Sequence, residues 1–155
     1  MIRRFGNSPQ KGQSYVRRAG VYAILPLNGG ILTTWQARPI PEIQLPGGGI
    51  DTGEHPIAAL HREVFEETGW HIRVRHRLGA FRRFTYMPEY DLWAEKLCTV
   101  YLADPTLRIG RPSEPDHQPL WLPCEVAQMK LGNIGDRTML AAFLRGRQGV
   151  CRQGV

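Results

Sequence analysis

Residues 48–70 read GGIDTGEHPIAALHREVFEETGW, and the rest of the chain is best read outward from them. Pro56 suits the first turn of a helix, where its missing N–H leaves no hydrogen bond unmade, and Thr68-Gly69 supplies a glycine stop. At about 100° per residue, Ile57, Leu60, Val64 and Thr68 gather in a sector of roughly 80°, the stripe of a helix with one buried face. Glu63, Glu66 and Glu67 fall in a separate sector of about 100°, with the small Ala59 one turn earlier. The same helix therefore presents a core stripe and, beside it, an acidic face cleared of bulk.

Carboxylates so close repel one another by a few tenths of a kcal/mol per pair. A divalent cation reverses that sign. Hard oxygen ligands suit Mg²⁺ or Mn²⁺, which retain waters and accept phosphate oxygens as further ligands. Taken alone, Glu-x-x-Glu-Glu is more often a solvated helix face, and an Arg62–Glu66 pair at i, i+4 accounts for part of the pattern. The whole string changes the balance. It matches the Nudix box, G-x5-E-x7-R-E-U-x-E-E-x-G-U with U a bulky aliphatic residue, at Gly48, Glu54, Arg62-Glu63-Val64, Glu66-Glu67 and Gly69. The one departure is Trp70, still large and apolar, so a change of packing rather than of chemistry is expected there. On this motif, which covers about a seventh of the chain, the protein resembles the Nudix hydrolases.

The resemblance implies an α+β fold, a Nudix-like α-β-α sandwich with a mixed β-sheet, in a single domain over 1–155. It implies hydrolysis of the diphosphate linkage of a nucleoside diphosphate derivative or nucleoside triphosphate, with Mg²⁺, or Mn²⁺, as cofactor. Glu63, Glu66 and Glu67 match the metal-ligand positions, joined by the backbone carbonyl near Gly48. Glu63 is also a candidate to orient or deprotonate the attacking water. Arg62 and Glu54 match positions that brace the loop against the helix. Some members add an acidic group from a later loop, where this chain has Glu114, Asp116 and His117; Glu114 completes the expected catalytic set of Glu63, Glu66, Glu67 and Arg62. A catalytically silent regulatory domain and an RNA 5′-end pyrophosphohydrolase are the alternatives. Homodimers are common in the family, but no feature of this sequence points to one.

Around the motif, Ala19–Leu27 and Ile31–Ala37 are β-type runs joined by Asn28-Gly29-Gly30, which predicts a hairpin. A short apolar segment, Ile43–Leu45, leads into Pro46 and the glycine loop 47–49. Two further β-type runs, Leu78–Met87 and Leu92–Leu102, flank a turn at Pro88-Glu89-Tyr90-Asp91. Asp104–Gln118, with Pro105, Pro112 and Pro115, reads as a loop. Leu120–Leu122 reads as a short strand. Pro123 opens a helical stretch to about Leu131, and Asp136–Arg145 a last helix. Residues 1–16 and 146–155 read as loose arms.

Composition bounds the partners. No apolar run approaches the roughly 20 residues of a membrane-spanning helix, and Arg3-Arg4 is followed by no apolar signal-peptide core, so a cytoplasmic protein is expected. Cys98, Cys124 and Cys151 show no C-x-x-C spacing and read as reduced core thiols. A net charge of +6 suits anionic ligands, yet the cations are dispersed, which favours a small nucleotide over RNA. Candidate substrate contacts are Arg38, together with Arg82, Arg83 and Lys96 on the expected hairpin. Among Phe84, Tyr86, Tyr90 and Trp93, aromatic residues that could stack on a base, Tyr86 is the one carried forward.

Overall fold

The computed structural model describes residues 1–147. Its elements run β1 (Arg3–Arg4), β2 (Val16–Ile24), β3 (Pro26–Leu27), β4 (Gly30–Gln36), β5 (Glu42–Gln44), β6 (Gly47–Gly49) and α1 (Pro56–Thr68). There follow β7 (Trp70–Met87), a 3-10 turn at Pro88–Tyr90, β8 (Leu92–Arg108), β9 (His117–Pro123), α2 (Cys124–Lys130) and α3 (Ile134–Arg145). Five strands make one sheet in the order β1-β7-β8-β2-β6, and β3, β4 and β5 make a second, with β9 paired to β4. β2 lies parallel to β8 and antiparallel to β6, so the larger sheet is mixed, as read from the sequence.

Period-two alternation divides the core. Val21, Ala23 and Leu25 pack with Ala59, Leu60 and Val64 of α1. Tyr22 and Ile24 face the other way, into Phe81, Val100, Ala127 of α2 and Leu140 of α3. Helices therefore cover both faces of the sheet, the expected α-β-α layering. α1 keeps the bounds drawn from the sequence: His55 Nδ1 accepts the Ile57 N–H at 3.2 Å, and Gly69 closes the helix at φ 74°. A Cβ on Gly69 would lie 2.2 Å from the Gly110 carbonyl oxygen, so the left-handed cap admits glycine alone. Trp70, the departure from the motif, packs edge-on to Trp121 of β9 at 5.7 Å between ring centroids, a packing role as anticipated.

Several readings change. The run 19–27 is not one arm of a hairpin: β2 belongs to the larger sheet, and the chain crosses at Leu25 so that only β3 pairs with β4 around Asn28-Gly29. The glycine segment is a strand paired with β2 rather than a loop, Gly47 lying opposite Tyr22. β7 begins directly after the helix cap and β8 continues to Arg108, which removes the first part of the expected 104–118 loop. The basic outward residues His71, Arg73, Arg75 and Arg77 hide an alternation whose inner members are Ile72 and Val74. Shifts in the β7–β8 register near His71, Val74 and Arg77 let so long a ribbon twist. The amino-terminal arm is anchored, since β1 pairs with β7 and Phe5 packs edge-on to Phe81 at 5.8 Å. Cys98 and Cys124 are buried, as expected. Residues 148–155, including Cys151 and most of the expected carboxyl-terminal arm, lie outside the described residues. No helix among the described residues is long and apolar enough to cross a membrane.

The start of α3 gives two stability predictions. A Cβ on Gly135 would sit 2.2 Å from Phe81 Cε2, so Gly135→Ala should destabilise by about 1–3 kcal/mol through overpacking, measurable by thermal unfolding. Asp136 is fully enclosed, and burial pushes its carboxyl up to about 6. The folded chain thus holds this proton more tightly than the unfolded chain does. The resulting stability is complete below about pH 4 and is lost as pH rises through 6. Urea denaturation should find Asp136→Asn gaining on wild type between pH 4 and 7 by up to about 3 kcal/mol; a pH-independent difference would contradict this.

Candidate functional site

Arg62 organises the acidic face of α1. Its Nε and Nη2 donate to the two Glu54 carboxylate oxygens, both at 2.8 Å, in the bidentate geometry that makes such pairs strong. Nη2 also donates to the Gly49 carbonyl at 3.0 Å, and Nη1 to Glu63 Oε1 at 2.7 Å and Glu66 Oε2 at 3.3 Å. These hydrogen bonds from Arg62, helped by the Asp51 N–H, hold the Glu54 carboxyl at about 2. In return the guanidinium is pushed above its ordinary range, chiefly by Glu54. Arg62 thus joins Glu54 and the Gly49 carbonyl to the helix, at the positions for which the resemblance implies bracing.

Glu67, only 5% exposed, turns inward. Its Oε2 accepts the Gly47 N–H at 3.0 Å, and its Oε1 lies 3.1 Å from His117 Nδ1, which is also 3.2 Å from Thr34 Oγ1. Burial drives its carboxyl well above the ordinary carboxylate range; Glu63, Glu114 and Glu66 push the same way, against the Gly47 N–H. Glu63 is also raised, by burial first, while Arg62 opposes the shift. Burial lowers His117, favouring the neutral imidazole. The loop bearing Glu114 is clipped to the end of α1, since the Ser113 and Glu114 N–H groups both donate to the Glu66 carbonyl, at 2.9 and 3.0 Å. Excess negative charge is thus concentrated around a single guanidinium.

The glycine strand completes this wall. Gly47 has φ 143°, and a Cβ would fall 2.1 Å from the Val21 carbonyl oxygen. A Cβ on Gly48 would fall 2.4 Å from Glu63 Oε2, so the missing side chain makes room for that carboxylate. Among the described residues no three His, Cys, Asp or Glu side chains converge on one point as a metal shell does. The cause is visible: Glu63 and Glu66 are drawn onto Arg62, and Glu67 onto Gly47 and His117. The donor set of three mutually repelling carboxylates on one helix, with Glu114 nearby, nevertheless fits a hard divalent cation.

A cavity of about 1080 Å³ opens beside this face. Glu63, Glu67, Glu114 and Gly48 line it, and so do Arg38 and Lys96 from the expected substrate contacts. Arg38 is paired with Asp116 at 2.9 Å. The structure does not bring the other three there. Arg82 lies 3.5 Å from Glu95 in a separate hollow, Arg83 lines a depression with Glu42 and Asn133, and exposed Tyr86 donates its hydroxyl hydrogen bond to Asp91. Of the four aromatic residues flanking the turn, Tyr90 lines the cavity, with Arg18 stacked 4.7 Å from its ring centroid. Sequence reasoning passed over Arg18, Tyr22 and Gln44. Strand alternation carried the signal, since Arg18, Gly20 and Tyr22 share a face of β2.

Comparison with known proteins gives the family and the fold. The model of the NUDIX domain matches residues 15–143. A Bacillus subtilis protein described as a putative 8-oxo-dGTP diphosphatase is 35% identical over 54 residues, 35% of this chain and 36% of that protein, so the match spans about a third of the relative's length. Among solved structures, a NUDIX hydrolase from Nitrosomonas europaea superposes with TM-score 0.70 at 16% identity, covering 84% of this chain and 90% of the other. A MutT NUDIX hydrolase from Burkholderia pseudomallei is 25% identical with TM-score 0.61, covering 81% and 97%. With the family model spanning most of the chain and Gly48, Glu63 and Glu67 of the box lining one cavity, this protein belongs to the Nudix hydrolase family.

Proposed function

We propose that the protein hydrolyses the diphosphate linkage of a nucleotide, either a nucleoside triphosphate or a nucleoside diphosphate joined to a further group. The observation that carries the reading is the meeting of Glu63, Glu67 and Glu114, from a helix and a distant loop, at one wall of a cavity beside a strand of three glycines. Membership of the Nudix hydrolases and the name borne by the Bacillus subtilis relative support it.

Glu63, Glu66, Glu67 and the Gly48 carbonyl would hold the divalent cation, Mg²⁺ or Mn²⁺. When bound, such an ion supplies charge neutralisation for the diphosphate oxygens and a more acidic water. The chain's own residues do the rest. Arg62 fixes the rotamers of Glu63 and Glu66 and ties the glycine strand at Gly49 to the helix, so the acidic groups stay in register with that strand. The bare backbone of that strand lets a diphosphate approach closely. Glu114, exposed and without an ion-pair partner among the described residues, takes a proton from the water that attacks phosphorus. The products are a nucleoside monophosphate and either pyrophosphate or a phosphorylated remainder. A silent regulatory domain would have no use for three repelling glutamates kept together.

Two measurements test the assignment. Glu66→Gln and Glu67→Gln should each lower Mg²⁺-dependent release of phosphate products by about a hundredfold, the scale of several kcal/mol of lost charge stabilisation, while circular dichroism stays native. Full turnover in both variants would remove the helix carboxylates from the cation site. Glu114→Ala should cost about 10²-fold or more in kcat with little change in KM. Unaltered kcat would leave Glu114 as a solvated loop charge.

A further inference from the structure

The wall of the cavity across the glycine strand carries a different chemistry. Lys96 of β8 stands in register with Arg18 of β2, so both leave the sheet on the face that continues through Gly20 to Tyr22. Gly20 keeps that face open, since a Cβ there would press within 3.0 Å of the Gly48 carbonyl oxygen and 3.2 Å of the Tyr22 hydroxyl. Lys96 is half-buried, with its ammonium 5.9 Å from the centroid of the Tyr22 ring and no ion pair among the described residues. Its sequence neighbour Glu95 turns to the opposite face, toward Arg17 at 3.7 Å and Arg82 at 3.5 Å. Burial, then the charge of Arg83, pulls the Lys96 amine below its ordinary range, the sign of a cation short of solvation. Gln44 lines the same cavity; one hydrogen of its Nε2 goes to Glu42 Oε2 at 2.7 Å, which fixes the amide, and its carbonyl oxygen has no partner among the described residues and is an open acceptor.

We propose that Lys96 and Gln44 read the edge of the nucleobase, selecting bases with a carbonyl beside a ring N–H over bases with an amino group beside a bare ring nitrogen. The inference rests on the reading of the cavity as a nucleotide site. An ammonium has three donors and no acceptor. Facing a carbonyl such as that of guanine, uracil or an oxidised purine, it finds a partner, and the adjoining ring N–H donates to the Gln44 oxygen. Facing the exocyclic amino group of adenine or cytosine, donor meets donor, and the half-buried charge is left unpaired. Removing a partner from a buried polar group is what makes such discrimination steep.

The test compares kcat/KM for GTP, UTP, ATP and CTP with Mg²⁺, in wild type, Lys96→Met, Lys96→Gln and Gln44→Met, with thermal melting to establish that each variant folds. Wild type should favour GTP and UTP by about 10- to 100-fold, expressed mainly in KM. Lys96→Met should erase the preference, read as the ratio of kcat/KM for GTP to that for ATP. Lys96→Gln, which restores an acceptor, should raise the amino-base nucleotides. Gln44→Met should weaken the preference in the same direction, independently of whether either Lys96 variant folds. Equal losses on all four nucleotides would mark Lys96 as a phosphate contact and overturn the proposal, as would an unchanged preference in the folded variants. Those results would leave the hydrolytic reading standing. No wild-type turnover on any of the four would overturn this proposal and exclude the triphosphates, leaving the hydrolytic reading to nucleoside diphosphate derivatives.

Discussion

Arg62 commits its guanidinium to Glu54, Glu63, Glu66 and the Gly49 carbonyl at once, and the working geometry of the molecule depends on that fork. Without it, Glu63 and Glu66 would lose the cationic partner they share, and the glycine strand would lose one of its two ties to the helix. A lysine could supply the charge but not five donors in a fixed plane. The cation is only partly exposed, so its pairs are screened less than surface pairs would be. Glu67 makes the complementary tie from the buried side, through the Gly47 N–H, so the glycine strand is gripped at both ends.

The sequence made the helix legible because three independent signals agreed: proline at its start, glycine after its end, and an apolar stripe between them. All three are local. What stayed hidden was tertiary. Nothing local says that 19–27 serves two sheets, because the same β-type run satisfies either partner, and the crossing at Leu25 is decided by which neighbour is available. The early part of β7 was missed because its outward positions are basic, which masked a sound alternation at Ile72 and Val74. The anchoring of Phe5 to Phe81 depends on a contact between residues about half the chain apart and leaves no mark on the polar arm that carries it.

Much the same division holds for the site. The residues of the motif could be named in advance because the string resembles the Nudix box; the helical wheel showed only that Glu63, Glu66 and Glu67 share a sector. The burial of Glu67 could have been read as well: on the helical wheel it lies about 20° from Leu60, at the border of the core stripe, rather than in the middle of the acidic sector. The opposite wall could not be read so easily. Arg82 and Arg83 look like ligand-binding cations in the sequence, yet strand geometry sends one to Glu95 and the other toward Asn133. Lys96, named with them as a candidate substrate contact, is the one of the three that its strand carries to the cavity.

The crossing of the chain at Leu25 has a mechanical consequence. β2 supplies Arg18, Gly20 and Tyr22 to the cavity, and a few residues later the same segment has entered the smaller sheet, which supplies Gln36 and Gln44. The two walls are therefore joined by continuous backbone anchored in the core, with Leu25 itself fully buried. Such a cleft has little freedom to gape or clamp as two jaws would. A molecule entering it meets a receptor already ordered, and keeps more of its contact energy as affinity because little backbone freedom remains to be frozen out.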